Sequence, residues 1–216
     1  MDSLSPAKLV SALSHDLRNP LSSIKMAVQT VAGSSALTER DKRRLALATR
    51  EVRTIERLLG LFAESSRDAP LATEPMAPRQ LVHEALSLIS VELDERNLRV
   101  EVEEREASPA VAIDPLRLRP VLAQVILNLA LSEEEGRPST VVLDRGVGGP
   151  SIALAAAAQV RPSELPRLFD PTATFLAPGT GLSLWVLRKL IALHGGTLSA
   201  AERPDAGVLF TLTFPP

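Results

Sequence analysis

Val10, Leu13, Leu17, Leu21, Ile24, Val28 and Val31 recur at alternating steps of three and four. That is the period of one face of an α-helix. Ser5-Pro6 opens the segment as N-cap and first helical residue, and Gly33-Ser34-Ser35 closes it. Thr38 then reads as the cap of a second helix, with Asp41 three residues on. Leu45, Ala48, Val52, Ile55, Leu59 and Phe62 repeat the same spacing. Two such helices on a short loop make an antiparallel hairpin. One hairpin cannot bury both stripes. The pattern therefore predicts a homodimeric four-helix bundle, or else packing of the hairpin on the rest of its own chain; the bundle is the preferred solution.

After the hairpin (residues 1–66) comes an Ala-, Ser- and Pro-rich stretch read as a linker (67–78). The remainder, 79–216, alternates helices with strands. Helices are expected over about 79–93, 115–132 and 182–194. Strands are expected over 98–103, 110–113, 140–144, 151–157, 197–201 and 208–214. Gly146-Val147-Gly148-Gly149 marks a hairpin turn. The fold class is α+β: a helical hairpin followed by a two-layer α/β sandwich with a mostly antiparallel sheet.

The charge balance, 24 basic against 26 acidic residues, leaves no electrostatic footprint for nucleic acid or an anionic membrane. There is no cysteine, hence no disulfide, thiolate metal site or cysteine nucleophile. No metal site is expected. No apolar run reaches the length of a membrane span and no signal peptide opens the chain. The expectation is a soluble cytoplasmic protein, without room for a sensing segment.

His15-Asp16-Leu17-Arg18-Asn19-Pro20-Leu21 carries the chemistry. Helical periodicity turns position 15 away from the apolar stripe, toward solvent. A neutral imidazole is nucleophilic at one nitrogen when the other keeps its proton. Asp16 can orient that proton and stabilise the cation formed when the imidazole attacks an electrophile. Pro20 removes a backbone donor and should bend the helix near Asp16 and Leu17. His83 has no such context.

The string from Ser14 to Leu21 resembles the phosphoacceptor box of bacterial sensor histidine kinases. The resemblance implies that His15 carries the phosphoryl group, that Asp16 is its base, and that Asn19 positions the water that hydrolyses a partner's aspartyl phosphate. It extends over nearly the whole chain. Asp114-Pro115-Leu116-Arg117-Leu118 looks like the entry to the helix bearing the family's asparagine box. Asn128 falls on the asparagine that helps hold magnesium, and Gln124 on an earlier asparagine. Leu165 to Pro171 resembles the phenylalanine box before the ATP lid. Gly179-Thr180-Gly181 resembles the glycine turn after it, where helix-opening amides suit a phosphate. His194-Gly195-Gly196 resembles a helix-to-strand turn and implies no chemistry for His194.

Other family features are missing. Asp144-Arg145-Gly146-Val147-Gly148 imitates the adenine-binding DxGxG box but lies one strand too early. Counted back from the phenylalanine box, that box falls on Ala155-Ala156-Ala157-Ala158-Gln159, so Ala155 stands for the adenine-binding aspartate. A methyl group accepts no hydrogen bond, and an unmet buried polar group costs about 1–3 kcal/mol. Leu131 and Leu176 stand where basic residues are usual. Asn128, Gly179 and Gly181 are thus a vestigial nucleotide site, and no ATP or magnesium cofactor is expected.

The reading that follows is a two-component signalling protein that relays a phosphoryl group through His15 to or from response regulator receiver domains. It would act as a homodimer, with a separate sensor or kinase as a further candidate partner. The alternatives are an ATP-dependent autokinase fed by a separate sensor, and a non-catalytic dimeric scaffold.

Overall fold

A computed structural model describes residues 6–33, 37–133, 136–146, 148–157, 160–172, 176, 179–203 and 207–216; for 6–15 and 146 it describes the backbone alone. The chain divides into two compact units, Met1–Ala69 and Pro70–Pro216.

The first unit is a helical hairpin of α1 (Pro6–Ala32) and α2 (Glu39–Ser65). The proposed cap at Ser5 lies outside the described residues. The cap at Thr38 is present: its hydroxyl accepts the Asp41 amide at 3.2 Å, and Glu39 and Asp41 place negative charge in the first turn. α1 continues through Pro20, which has no amide to offer the Asp16 carbonyl. Leu21 and Val52 are buried on the hairpin's inner side. Lys25 and Glu56 meet across it at 3.0 Å. The stripe is wider than the hairpin can cover. Leu17, Ile24 and Val31 on α1 remain 41–50% exposed, and Ile55 and Phe62 on α2 remain 43% and 47% exposed.

The second unit has a five-stranded sheet in the order β2-β4-β5-β7-β6: β2 (Val100–Glu104), β4 (Ser139–Gly146), β5 (Gly149–Ala156), β7 (Gly207–Thr213) and β6 (Thr197–Arg203). Only the β2–β4 pair is parallel. A separate antiparallel pair joins β1 (Glu74–Met76) to β3 (Val111–Ile113). β1 falls inside the stretch read as linker, where three residues show no alternation to announce it. Gly149, at φ 116°, closes the β4–β5 hairpin; a Cβ there would meet the Phe214 carbonyl.

Helices α3 (Pro78–Glu95), α4 (Pro115–Ala130) and α5 (Thr180–Leu193) form the second layer, with α4 packed against both others. A 3-10 helix, Pro162–Phe169, was not expected from the sequence. Leu81, Leu118, Leu122, Ile126, Ile152, Leu154, Phe210 and Phe214 are among the fully buried side chains between the layers. On α4 burial is nearly all-round: Val121 through Ala130 are each at most 7% exposed.

Candidate functional site

The acceptor string lies on α1. The backbone places His15 within the helix, and its side chain is outside the described residues. Asp16 and Asn19 are exposed on the same helix. Ser23 donates its hydroxyl to the Asn19 carbonyl at 3.2 Å, leaving the Asn19 amide group out of that bond. One turn further, Ser22, Ser23, Met26, Ala27, Thr30 and Val31 line a shallow surface depression.

The second cluster joins α4 to the start of α5. Asp114 caps α4, accepting the Arg117 amide on Oδ1 at 3.2 Å, and Pro115 takes the first helical position. Asn128 projects from α4 with 2% exposure. Its oxygen accepts the Gln124 amide at 2.8 Å, and its own amide donates to the Ser183 hydroxyl at 3.2 Å. Ser183 donates onward to the Thr180 carbonyl at 2.9 Å. Gly179 sits at φ 85°, a left-handed conformation that suits glycine, and α5 begins at the next residue without a side-chain cap. Through Ser183 the structure links Asn128 to Thr180 in the Gly179–Gly181 turn.

Among the described residues, the end of β5 itself carries no carboxylate. Ile152, Leu154 and Ala156, each at most 1% exposed, share one strand parity, and Ala155, 5% exposed, has the other. Either parity ends in a methyl group. The Ala157 amide is taken by the Glu133 carboxylate at 3.0 Å. Ala158 and Gln159, the rest of the expected box, lie outside the described residues. Asp144 is in β4, paired with Ser151, so its segment is the hairpin and not that box.

Phe169 is held edge-on to Phe210 at 6.2 Å between centroids, with the Arg188 guanidinium 4.7 Å over its ring. Asp170 follows. Hydrogen bonds from the Thr172 hydroxyl and amide, with Arg167 nearby, hold its carboxyl below the usual range. Of the lid, Leu176 is described and half-buried, while residues 173–175 and 177–178 lie outside the described residues.

Sequence reasoning missed His194. It is 8% exposed, its Nε2 accepts the Asp114 amide at 2.9 Å, and its Nδ1 faces the Leu190 carbonyl at 2.7 Å. Nδ1 must therefore carry the proton. Asp114 Oδ2 also accepts the Ala72 amide at 2.9 Å. One buried carboxylate and one imidazole thus tie the end of α5, the start of α4 and the entry to the unit. The signal was Asp114 at a helix start and a histidine ahead of two glycines, but nothing in spacing pairs residues 80 apart. His194→Phe keeps the bulk and loses both bonds, so urea unfolding should show a loss of about 1–3 kcal/mol. The exposed His83→Ala should change stability by less than about 0.5 kcal/mol.

Among the described residues, no helix is long and apolar enough to cross a membrane, and no group of His, Cys, Asp or Glu could hold a metal ion.

Residues 7–69 match the His Kinase A (phospho-acceptor) domain, and residues 113–216 the histidine kinase-, DNA gyrase B-, and HSP90-like ATPase domain. The chain belongs to the sensor histidine kinase family. The sensor histidine kinase ZraS of Klebsiella oxytoca is 30% identical over 210 residues, covering 96% of this chain and 45% of ZraS. MtrB of Mycolicibacterium paratuberculosis is 28% identical over 230 residues, covering 96% of this chain and 39% of MtrB. The chain spans less than half the length of these relatives. Full-length ShkA in complex with AMPPNP superposes with a TM-score of 0.73 at 20% identity, over 98% of this chain and 46% of that one. ThkA in complex with the response regulator protein TrrA gives a TM-score of 0.64 at 20% identity, over 96% and 61%. These structures share the helical hairpin and the α/β sandwich.

Proposed function

We propose that this chain relays a phosphoryl group through His15 to or from the receiver domain of a response regulator, in the cytoplasm, as a homodimer and without using ATP. In the accepting direction, the bond from phosphorus to an aspartyl oxygen breaks and a bond to an imidazole nitrogen forms. The carboxylate leaves, and the proton on the second ring nitrogen passes toward Asp16. The reverse step regenerates the imidazole. Asn19, one turn along, positions water when the partner's phosphate is hydrolysed instead. The exposed face of Met26 and Thr30 on α1 is where a receiver domain would seat, beside the acceptor. ThkA, a relative in fold, is known in complex with such a regulator.

One observation carries the ATP-independent part. The groups that remain do not fit a magnesium–nucleotide pair. The Asn128 oxygen is engaged by Gln124 in a 2% exposed position. Magnesium demands octahedral coordination and keeps several waters, which that position does not admit. Residues 155 to 157 are alanines, so the end of β5 itself offers no carboxylate to an adenine amino group.

The retained glycine turn at the start of α5 favours a second reading, an ATP-dependent autokinase. The full chain should be offered radiolabelled ATP with magnesium, and separately a receiver domain already labelled on its aspartate. Label should arrive from the receiver alone. Acid-labile label taken from ATP would establish the autokinase.

A further inference from the structure

Gln124, Asn128 and Ser183 are at most 7% exposed, and Asn128 falls where the family resemblance puts the asparagine that helps hold magnesium. Their hydrogen bonds run in one direction: Gln124 amide to Asn128 oxygen, Asn128 amide to Ser183 hydroxyl, Ser183 hydroxyl to Thr180 carbonyl. Side-chain amides can be reversed in any such network. Reversing both gives Asn128 donating to Gln124 and accepting the Ser183 hydroxyl, so the Asn128 oxygen is occupied either way. One Gln124 amide atom is left over in both arrangements; as placed, Oε1 has no partner. As placed, each polar side-chain atom of Asn128 and Ser183 has a partner, and the deficit falls on the residue that departs from the family's asparagine.

We infer that Gln124 has converted this cluster from a cation site into a structural clasp between α4 and the first turn of α5. The extra methylene of glutamine over asparagine lets its amide reach one turn along α4, from position 124 to 128, and cap the Asn128 oxygen. A group poised for a ligand commonly costs a fold stability, and its removal is neutral or stabilising. A clasp behaves oppositely: cutting it strands buried polar groups. The inference deepens the proposal that ATP is not used, and rests on that reading for the claim that no cation is needed there.

The test is thermal unfolding of the full chain followed by Trp185, the sole tryptophan, which lies on α5. Asn128→Ala should lower the melting temperature of the transition seen by Trp185 by about 4 °C or more. Ser183→Ala, a smaller cut that keeps the protein soluble if Asn128→Ala does not, should lower it by about 2 °C or more. Gln124→Ala combined with Asn128→Ala should cost clearly less than the two single losses together, because both cut one chain. Manganese alone at millimolar concentration should leave the wild type within about 1 °C. The clasp is overturned by Asn128→Ala or Ser183→Ala melting at or above the wild type. It is equally overturned by a manganese-induced rise that Asn128→Ala abolishes. Either result leaves transfer between a receiver and His15 standing, since that is read by label. Absence of label on His15, with the melting pattern as expected, sinks the relay and spares the clasp.

Discussion

His15→Ala accepts no label from a phosphorylated receiver domain, while Asp16→Asn accepts it more slowly by about 100-fold or more. The two losses differ because the two side chains do different work. Phosphorus must bond to an imidazole nitrogen, and no other residue on the string is a nitrogen nucleophile at neutral pH. Asp16 moves a proton rather than the phosphoryl group, so its removal slows the step without closing it. The label on the wild type should be lost in acid and kept in base, as a phosphoramidate bond requires. Label that persists on His15→Ala would move the acceptor elsewhere. Neither substitution touches the apolar stripe, so circular dichroism and oligomeric state should match the wild type.

Ile55→Glu with Phe62→Glu is expected to turn the proposed homodimer into a monomer. Leu17, Ile24 and Val31 repeat every seven residues along α1, and Ile55 and Phe62 do so along α2. All five stay 41–50% exposed although they belong to the stripe that built the hairpin. Covering them with a second hairpin removes ten half-exposed side chains from water, roughly 10 kcal/mol of apolar transfer before the cost of association. Four buried glutamates, two from each copy, reverse that gain. Sedimentation equilibrium should show the dissociation constant rising by about 1,000-fold or more. Met26→Glu is the control: Met26 is 68% exposed on a different side of α1, and its replacement should leave the dimer whole. A double variant that stays dimeric would mean that the second copy is not what covers this face.

The elements that were legible in the chain share a cause. The hairpin, α4 and the β4–β5 turn are written in local terms: a period, a cap, a proline at a first turn, a pair of glycines. Thr38 with Asp41, and Asp114 with Pro115, mark their helix starts within a few residues. β1 is too short to show a period and exists because β3 pairs with it. The 3-10 helix at Pro162–Phe169 has two prolines in eight residues, too short a run for the spacing of Leu165, Leu168 and Phe169 to announce a helix. At the candidate sites, it was the family resemblance that pointed to Asn128 and the glycine turn. It did not reveal the network around Asn128: Gln124 caps its oxygen from one turn back on the same helix, and Ser183 accepts from its amide only when α4 and α5 pack. His194 was passed over for the same reason, since its partner is on another helix.

The all-round burial of α4 bears on how this chain changes over generations. A helix with solvent on one side can shed a disused functional residue, because a neutral exit exists. Here the residues from Val121 to Ala130 have no exposed side to drift toward. Asn128 is held by its neighbours whether or not anything binds it, and each neighbour is held by Asn128 in turn. Entrenchment of this kind preserves a motif after its first use has gone. A surviving asparagine in descendants of this chain would then record packing, and the alanines at the end of β5 would be the better witness to activity.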